Sequence, residues 1–334
     1  MTELVLVLTD FLPPEEEPSA GLSSGSSRAR LPLLETLLSR SSCTALGSDW
    51  RGWLAASAAP AELAAFSLAA IAGASFRGAG VPKPESTGYW LATPVHLFAG
   101  LDSVHLHPAG LLSLTTEEQA SLVSDFRRVF ADSHWRLEAI GHRELLLSGP
   151  PFQASGADPA QSLGDDPSAG LPRGVDAGAL RRLGSETEMW LYEHPVNQAR
   201  TSRHELPVTA LWLWGGQPPV LPAGASSLVH PQLFGTDIYA QSLWQLQGRS
   251  TLALSAASQA IQARPVSLPC DSVVLLSNGL QELEQHWLPG ALAALRQRRL
   301  SALQLILGER LFRVSPLQLL RVWRARIPWW EALA

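Results

Sequence analysis

The sequence predicts an α/β protein, a mainly parallel sheet flanked by helices with a smaller α+β block inserted, and three observations lead there. Residues 3–8, apolar without a break from Leu4 onward, and 273–276 show the pattern of strands buried on both faces of a parallel sheet. Helical spacings alternate with such runs along the chain, as βαβ connections require. With 334 residues, 46% apolar and 16% charged, the chain has the material for a sizeable core.

The first run ends in Thr9, Asp10 and Phe11, so Asp10 stands at the carboxyl end of a buried strand. Residues 13–30, rich in Pro, Glu, Ser and Gly, read as a surface loop. Leu33, Leu34, Leu37 and Leu38 give a helix over residues 31–40, and residues 60–75 an Ala-rich helix with Pro60 near its first turn. Strands are expected over 89–98 and 104–107. Thr115, Thr116, Glu117 and Glu118 then announce a helix carrying Leu122, Phe126 and Val129. Residues 136–140 and 144–147 read as paired strands joined at Gly141, His142 and Arg143.

Farther on, residues 176–200 are helical except at Pro195, and 208–214 form an aromatic strand ended by Gly215 and Gly216. A strand over 273–276, a helix over 280–298, a hairpin of 303–307 with 311–314 and a last helix over 316–325 complete the chain. Residues 149–174 are rich in Gly, Pro, Ala, Ser and Asp and read as a linker, with a hinge or boundary there. The expected division is an α/β core of residues 1–90 and 205–334, with 91–204 as the inserted block. No internal repeat is visible, which excludes solenoids and propellers.

Net charge of -5 and a pI near 6.0 argue against dedicated nucleic-acid binding. Charge is uneven: from Leu288 onward eight arginines face only Glu309 and Glu331. Arg321 and Arg324 share one side of the expected last helix, which reads as a solvated face. Cys43 and Cys270 have no CxxC spacing, so neither a disulfide framework nor a thiolate zinc site is indicated. The apolar stretch 54–76 is mainly alanine, carries Pro60 and Glu62, and reads as a buried helix rather than a membrane span. With no basic start or small-residue cleavage site at the N-terminus, a cytoplasmic protein is expected.

Several residue sets could carry chemistry. Asp10 is either a metal ligand or a strand-end turn cap. His105 and His107, two apart on one strand face, could share a metal with His96 or Asp102, or be half-exposed surface histidines. His194, Asn197 and Arg200 surround Pro195, where a helix must break; such groups either face a cleft or satisfy the freed backbone. Gly215 and Gly216 could cradle a phosphate or simply turn the chain out of a strand. Gly21-Leu22-Ser23-Ser24-Gly25 matches a nucleophile elbow in letters only, lacking the strand and helix that motif needs.

The string Trp190-Leu191-Tyr192-Glu193-His194-Pro195-Val196-Asn197, followed by Ala199-Arg200 and by residues 206–216, is the most distinctive in the chain. With Trp90, residues 94–97, 114–118 and 171–174, it resembles the proteobacterial RpfE-type regulatory family over nearly the whole length. That family in turn resembles, more faintly, the archaeal-type cofactor-independent phosphoglycerate mutases of the alkaline phosphatase superfamily. The resemblance implies an alkaline-phosphatase-like core in which Asp and His side chains hold two divalent metals and a Ser or Thr is phosphorylated in turnover. Asp10 matches the first-strand ligand by position. No Asp-His dipeptide exists, however, residues 272–279 read Ser-Val-Val-Leu-Leu-Ser-Asn-Gly, and residues 303–310 hold no histidine.

The expected function is therefore a non-catalytic regulatory or interaction protein on a degenerate mutase-like scaffold. It would have no cofactor, and its partner would be a protein or a phosphorylated metabolite rather than a membrane or nucleic acid. The alternative is a phosphoglycerate mutase or phosphatase using Mn, Zn or Mg at a rearranged site.

Overall fold

The computed structural model describes residues 2–11, 29–78, 80, 87–100, 103–141, 144–218, 220–221, 228, 230–263, 268, 270–277 and 279–333. Its first half runs β1 (Thr2–Leu8), α1 (Pro32–Arg40), β2 (Ser42–Ala45), α2 (Trp50–Ala58), α3 (Ala61–Ala64), α4 (Leu68–Phe76), β3 (Gly88–Ala99), β4 (Val104–Leu111), α5 (Thr116–Val129), β5 (Arg136–Ala139) and β6 (Leu145–Gly149). Next come β7 (Ala154–Ser155), β8 (Arg173–Gly174), α6 (Ala177–Tyr192), α7 (Pro195–Ser202), β9 (Ala210–Trp214), β10 (Gln232–Phe234), α8 (Ile238–Leu246) and α9 (Leu254–Gln262). The chain closes with β11 (Ser272–Leu276), α10 (Gly279–Glu282), α11 (Leu288–Arg296), β12 (Leu300–Leu307), β13 (Arg310–Val314) and α12 (Trp329–Leu333).

These elements divide into two compact units, residues 1–60, 220–244 and 248–334 in the first and 61–219 with 245–247 in the second. The sequence places the seams near 90 and 205. They lie instead at 60/61 and 219/220, because β3 and β9 pair with each other through Leu91–Trp214 to Val95–Ala210, inside the second unit.

In the first unit β10, β11, β1 and β12 run parallel, and β13 and β2 add antiparallel strands at one edge. Register fixes which residues share a face: Leu4, Leu6 and Leu8 of β1 lie beside Leu303, Leu305 and Leu307 of β12. All six belong to one core with Leu34 and Leu37 of α1 and Leu292 and Leu295 of α11. Val5, Val7, Val273 and Ile306 point to the other face and are fully buried too, so the continuous apolar run is what a two-sided sheet demands. The predicted fold class holds.

α1 begins at Pro32, with no capping side chain of its own. Glu284, from a π-helical turn at Leu283–Trp287, accepts the N–H groups of Leu33 and Leu34 at 2.8 Å each. A carboxylate there also complements the positive end of the helix.

The second unit is antiparallel. β4, β3, β6 and β5 lie in that order and β9 pairs β3. α5, α6 and α7 supply Leu122, Phe126, Leu180, Leu183 and Val196 to a core shared with Trp90, Leu145, Leu147 and Leu213. The capping box read from sequence is present: Thr115 Oγ1 accepts from Glu118 N, and Glu118 Oε2 accepts from Thr115 N.

Three local expectations are corrected. The Ala-rich stretch is not one helix, since Ser67 caps a new start at α4 by accepting Ala70 N at 3.2 Å. The expected last helix over 316–325 is reduced to one 3₁₀ turn, Gln318–Leu320, because Arg40 Nη1 takes the Leu319 carbonyl at 2.7 Å and Val322, Ile327 and Pro328 disfavour helix. Residues 149–174 are not a boundary but ordered structure of the second unit. There β7 pairs β8, Trp90 Nε1 donates to Ala154 O at 2.7 Å, and Trp212 Nε1 donates to Ala157 O at 2.8 Å. The hairpin of β5 and β6 forms, with its expected turn residues His142 and Arg143 outside the described residues. Among the described residues no helix is long and apolar enough to cross a membrane.

Candidate functional site

The stretch from α6 to β9 holds most of the polar residues singled out by sequence. α6 stops at Tyr192 because Pro195 starts α7, where its missing N–H costs nothing. His194 caps that start: its Nδ1 accepts the N–H of Val196 at 3.2 Å. An accepting Nδ1 puts the ring proton on Nε2, which lies 3.2 Å from Asp125 Oδ2 without the alignment of a good hydrogen bond. The ring is 3% exposed and meets the Trp190 edge at 5.1 Å. Burial lowers its pKa, against the opposing pull of Asp125.

A depressed histidine pKa means the unfolded chain binds the proton more readily, so this contribution to stability is whole above about pH 6.5 and is lost as pH falls toward the folded value. His194→Asn keeps a good cap without the titration. Unfolding free energy measured from pH 7.5 to 5 is expected to fall less steeply in His194→Asn than in the parent; equal slopes would show that His194 does not contribute.

Asn197 is a backbone clamp. Its amide donates to Leu191 O at 2.8 Å and Val208 O at 2.7 Å, while its oxygen accepts Val208 N at 2.7 Å. Arg200 donates to Leu206 O at 2.8 Å and from Nη1 to Glu118 Oε2 at 2.9 Å. Its side chain is 6% exposed and that of Glu118 7%, so both charges are withdrawn from water. Arg203 completes the cluster on Glu118 Oε1 at 2.5 Å.

Gly215 adopts φ +69°, and its carbonyl accepts Ala69 N at 2.9 Å. Gly216 N donates to Ser155 Oγ at 2.9 Å, and a Cβ there would come within 2.3 Å of Trp90 Nε1. The glycine pair is thus a tight strand exit whose Gly216 N–H already has its acceptor.

On β3 and β4, His105 and His107 are half-buried and both meet the Phe98 ring, at 5.7 and 5.8 Å. His96 contacts His107 edge-on at 5.7 Å. Each ring nitrogen in play has a local use: His96 Nδ1 with Pro207 O at 2.9 Å, His107 Nδ1 accepting Ala109 N at 3.0 Å, and His105 Nε2 with Ser103 Oγ at 3.0 Å. Asp102 and the 21–25 segment lie outside the described residues. Among the described residues no three His, Cys, Asp or Glu side chains assemble into a group that could hold a metal.

Asp10 belongs to the first unit, exposed just past β1. Thr9 ties that strand end to β11, its N–H and hydroxyl both directed at Leu276 O, at 2.9 and 3.2 Å. A second polar group in this unit went unread in the sequence. Arg51 meets Asp237 at 2.9 Å, both largely buried. Asp49 caps α2 through Gly52 N at 2.9 Å, and Asp237 receives Ala240 N at the start of α8 at 3.0 Å. Tyr239 beside them keeps a buried hydroxyl with no hydrogen-bond partner among the described residues, and burial and then the two carboxylates raise its pKa. No sequence spacing links Asp49 and Arg51 to residues near 237.

The second unit also has a cavity of about 230 Å³ between α6, β9 and the 167–172 segment. Leu97, Leu171, Leu180, Trp212 and Leu213 make an apolar wall, with Arg181 and Glu188 at the mouth. Desolvation by that wall raises the Glu188 pKa although the side chain is partly open to solvent.

No family model and no curated protein matches the chain, so the comparisons do not support the RpfE-type resemblance. Among solved structures, the cofactor-independent phosphoglycerate mutase from Thermoplasma acidophilum DSM 1728 is similar at 15% identity and a TM-score of 0.36, covering 94% of this chain and 89% of that one. The PH0037 protein from Pyrococcus horikoshii is similar at 11% identity and a TM-score of 0.41, covering 94% and 87%. Both likenesses are distant.

Proposed function

We propose that this chain is a non-catalytic regulatory or interaction protein on a phosphoglycerate-mutase-like α/β scaffold, with a protein partner or a phosphorylated metabolite as its signal. One observation carries this reading: Asn197, Arg200 and Gly216 spend their hydrogen-bonding groups on the protein's own backbone and on Glu118 and Ser155, and the buried His194 spends Nδ1 on the Val196 N–H while its Nε2 faces Asp125. A group held in that way is not free to move a proton or grip a reacting phosphoryl oxygen. The apolar cavity beside α6 supports the same reading, because its wall suits the apolar part of a bound molecule.

A second reading, a phosphomutase or phosphatase using Mn, Zn or Mg, draws on Asp10 alone. Asp10 follows the carboxyl end of a parallel strand, where ligands of open α/β sheets gather. Metal analysis and native mass spectrometry of the purified full chain separate the two. The proposed reading expects no stoichiometric divalent metal; two tightly held zinc or manganese ions per chain would overturn it.

A further inference from the structure

The C-terminal strap of the first unit, residues 315–328, exposes more apolar surface than closing the core requires. Ser315 and Gln318 exchange hydrogen bonds at 2.8 and 3.3 Å, and Arg40 holds Leu319 O at 2.7 Å. Arg324 Nη1 reaches Ser39 O and Ser41 O at 3.3 and 3.4 Å, at the end of α1. Trp329 Nε1 donates to Ala29 O at 3.1 Å. Leu319 is the side chain this pinned strap buries, at 5% exposure.

The others point outward. Leu317 is 72% exposed, Leu320 63%, Val322 72%, Trp323 76% and Ile327 41%. Five large exposed apolar side chains within eleven residues exceed the single scatter of an ordinary surface and mark a contact surface. Arg321, Arg324 and Arg326 are interleaved with them, and the strap holds no acidic residue. Among the described residues the Arg321 and Arg326 side chains have no ion-pair partner.

We infer that the Leu317–Ile327 strap docks on an anionic lipid bilayer surface, its leucines and Trp323 entering the headgroup boundary while Arg321 and Arg326 meet lipid phosphates. Three features select that occupant. Aliphatic side chains outnumber aromatic ones, which suits acyl chains and not nucleic-acid bases. Outside the arginines and the Trp323 indole the strap has only Gln318 and Ser315 as polar side chains, both used internally, so it offers a partner no free side-chain acceptor, whereas lipid phosphates ask only for donors. Cationic charge concentrated in an otherwise acidic chain is complementary to anionic headgroups. This is attachment to a surface, not a span.

The test is sedimentation of the full chain with phosphatidylcholine vesicles, with and without phosphatidylglycerol. Binding is expected only with phosphatidylglycerol and should weaken as salt shortens the Debye length. Arg321→Gln with Arg326→Gln should lower the apparent affinity by roughly an order of magnitude, and Trp323→Ala by roughly tenfold. All three positions are at least partly exposed, so unchanged circular dichroism is expected in the variants. Equal binding to neutral vesicles, no binding to either, binding untouched by these substitutions, tighter binding to duplex DNA, or self-association abolished by Trp323→Ala would each overturn the inference.

Discussion

Arg200→Leu is expected to lower the unfolding free energy by about 3–5 kcal/mol, the cost of leaving a buried charge without its partner. In this chain the abandoned group is Glu118, whose carboxylate also closes the capping box of α5 through Thr115 N. Arg203 remains on Glu118 Oε1, but its own side chain is 44% exposed and screened by water, so it compensates only in part. Urea denaturation measures the loss. Replacing both partners, Arg200→Leu with Glu118→Leu, should recover part of it, because an apolar pair asks for no compensation. A single-variant loss below about 1 kcal/mol would mean that the pair is solvated in solution like an ordinary surface ion pair.

Asn197→Ala is the second large effect, at about 3 kcal/mol, since each buried backbone group left without a partner costs about 1–3 kcal/mol. Three bonds depart together: those to Leu191 O, Val208 O and Val208 N. These link the end of α6 to the approach of β9 across the break at Pro195. Asn197→Asp should also destabilise, because a carboxylate keeps the acceptor for Val208 N but loses both donated bonds. If Asn197→Asp matched the parent in thermal unfolding, the amide would not be the clamp.

Sequence reasoning succeeded where the cause was local. The buried strands β1 and β11 announce themselves as unbroken apolar runs, α5 by its Thr115 and Glu118 box, and the α6–α7 break by Pro195. It failed where a distant partner decides. Arg40 takes the Leu319 carbonyl across 279 positions, a contact that no spacing in residues 316–325 announces. Glu284 serves α1 from 250 positions away. Residues 149–174 look like a linker because Gly, Pro and Ser dominate, yet the indoles of Trp90 and Trp212 fix their carbonyls from strands that composition cannot connect to them.

The same limit governs the candidate site. The break at Pro195 and its polar neighbours were legible, and so was the alternative that those neighbours satisfy freed backbone. Choosing between cleft and clamp required knowing that Glu118, 82 positions earlier, comes to lie against Arg200. Asp10 could be placed at a strand end from its apolar run, but the Arg51–Asp237 pair in the same unit had no signal, its members being 186 positions apart.

The central claim, that the polar residues around Pro195 and the strand-end Asp10 do not amount to a phosphoryl-transfer site, is tested most directly by phosphorus NMR of 3-phosphoglycerate incubated with the full chain and excess manganese. The spectrum is expected to match the protein-free control, for the parent and for Asp10→Ala alike. Appearance of 2-phosphoglycerate or inorganic phosphate with the parent, and its loss in Asp10→Ala, would contradict it.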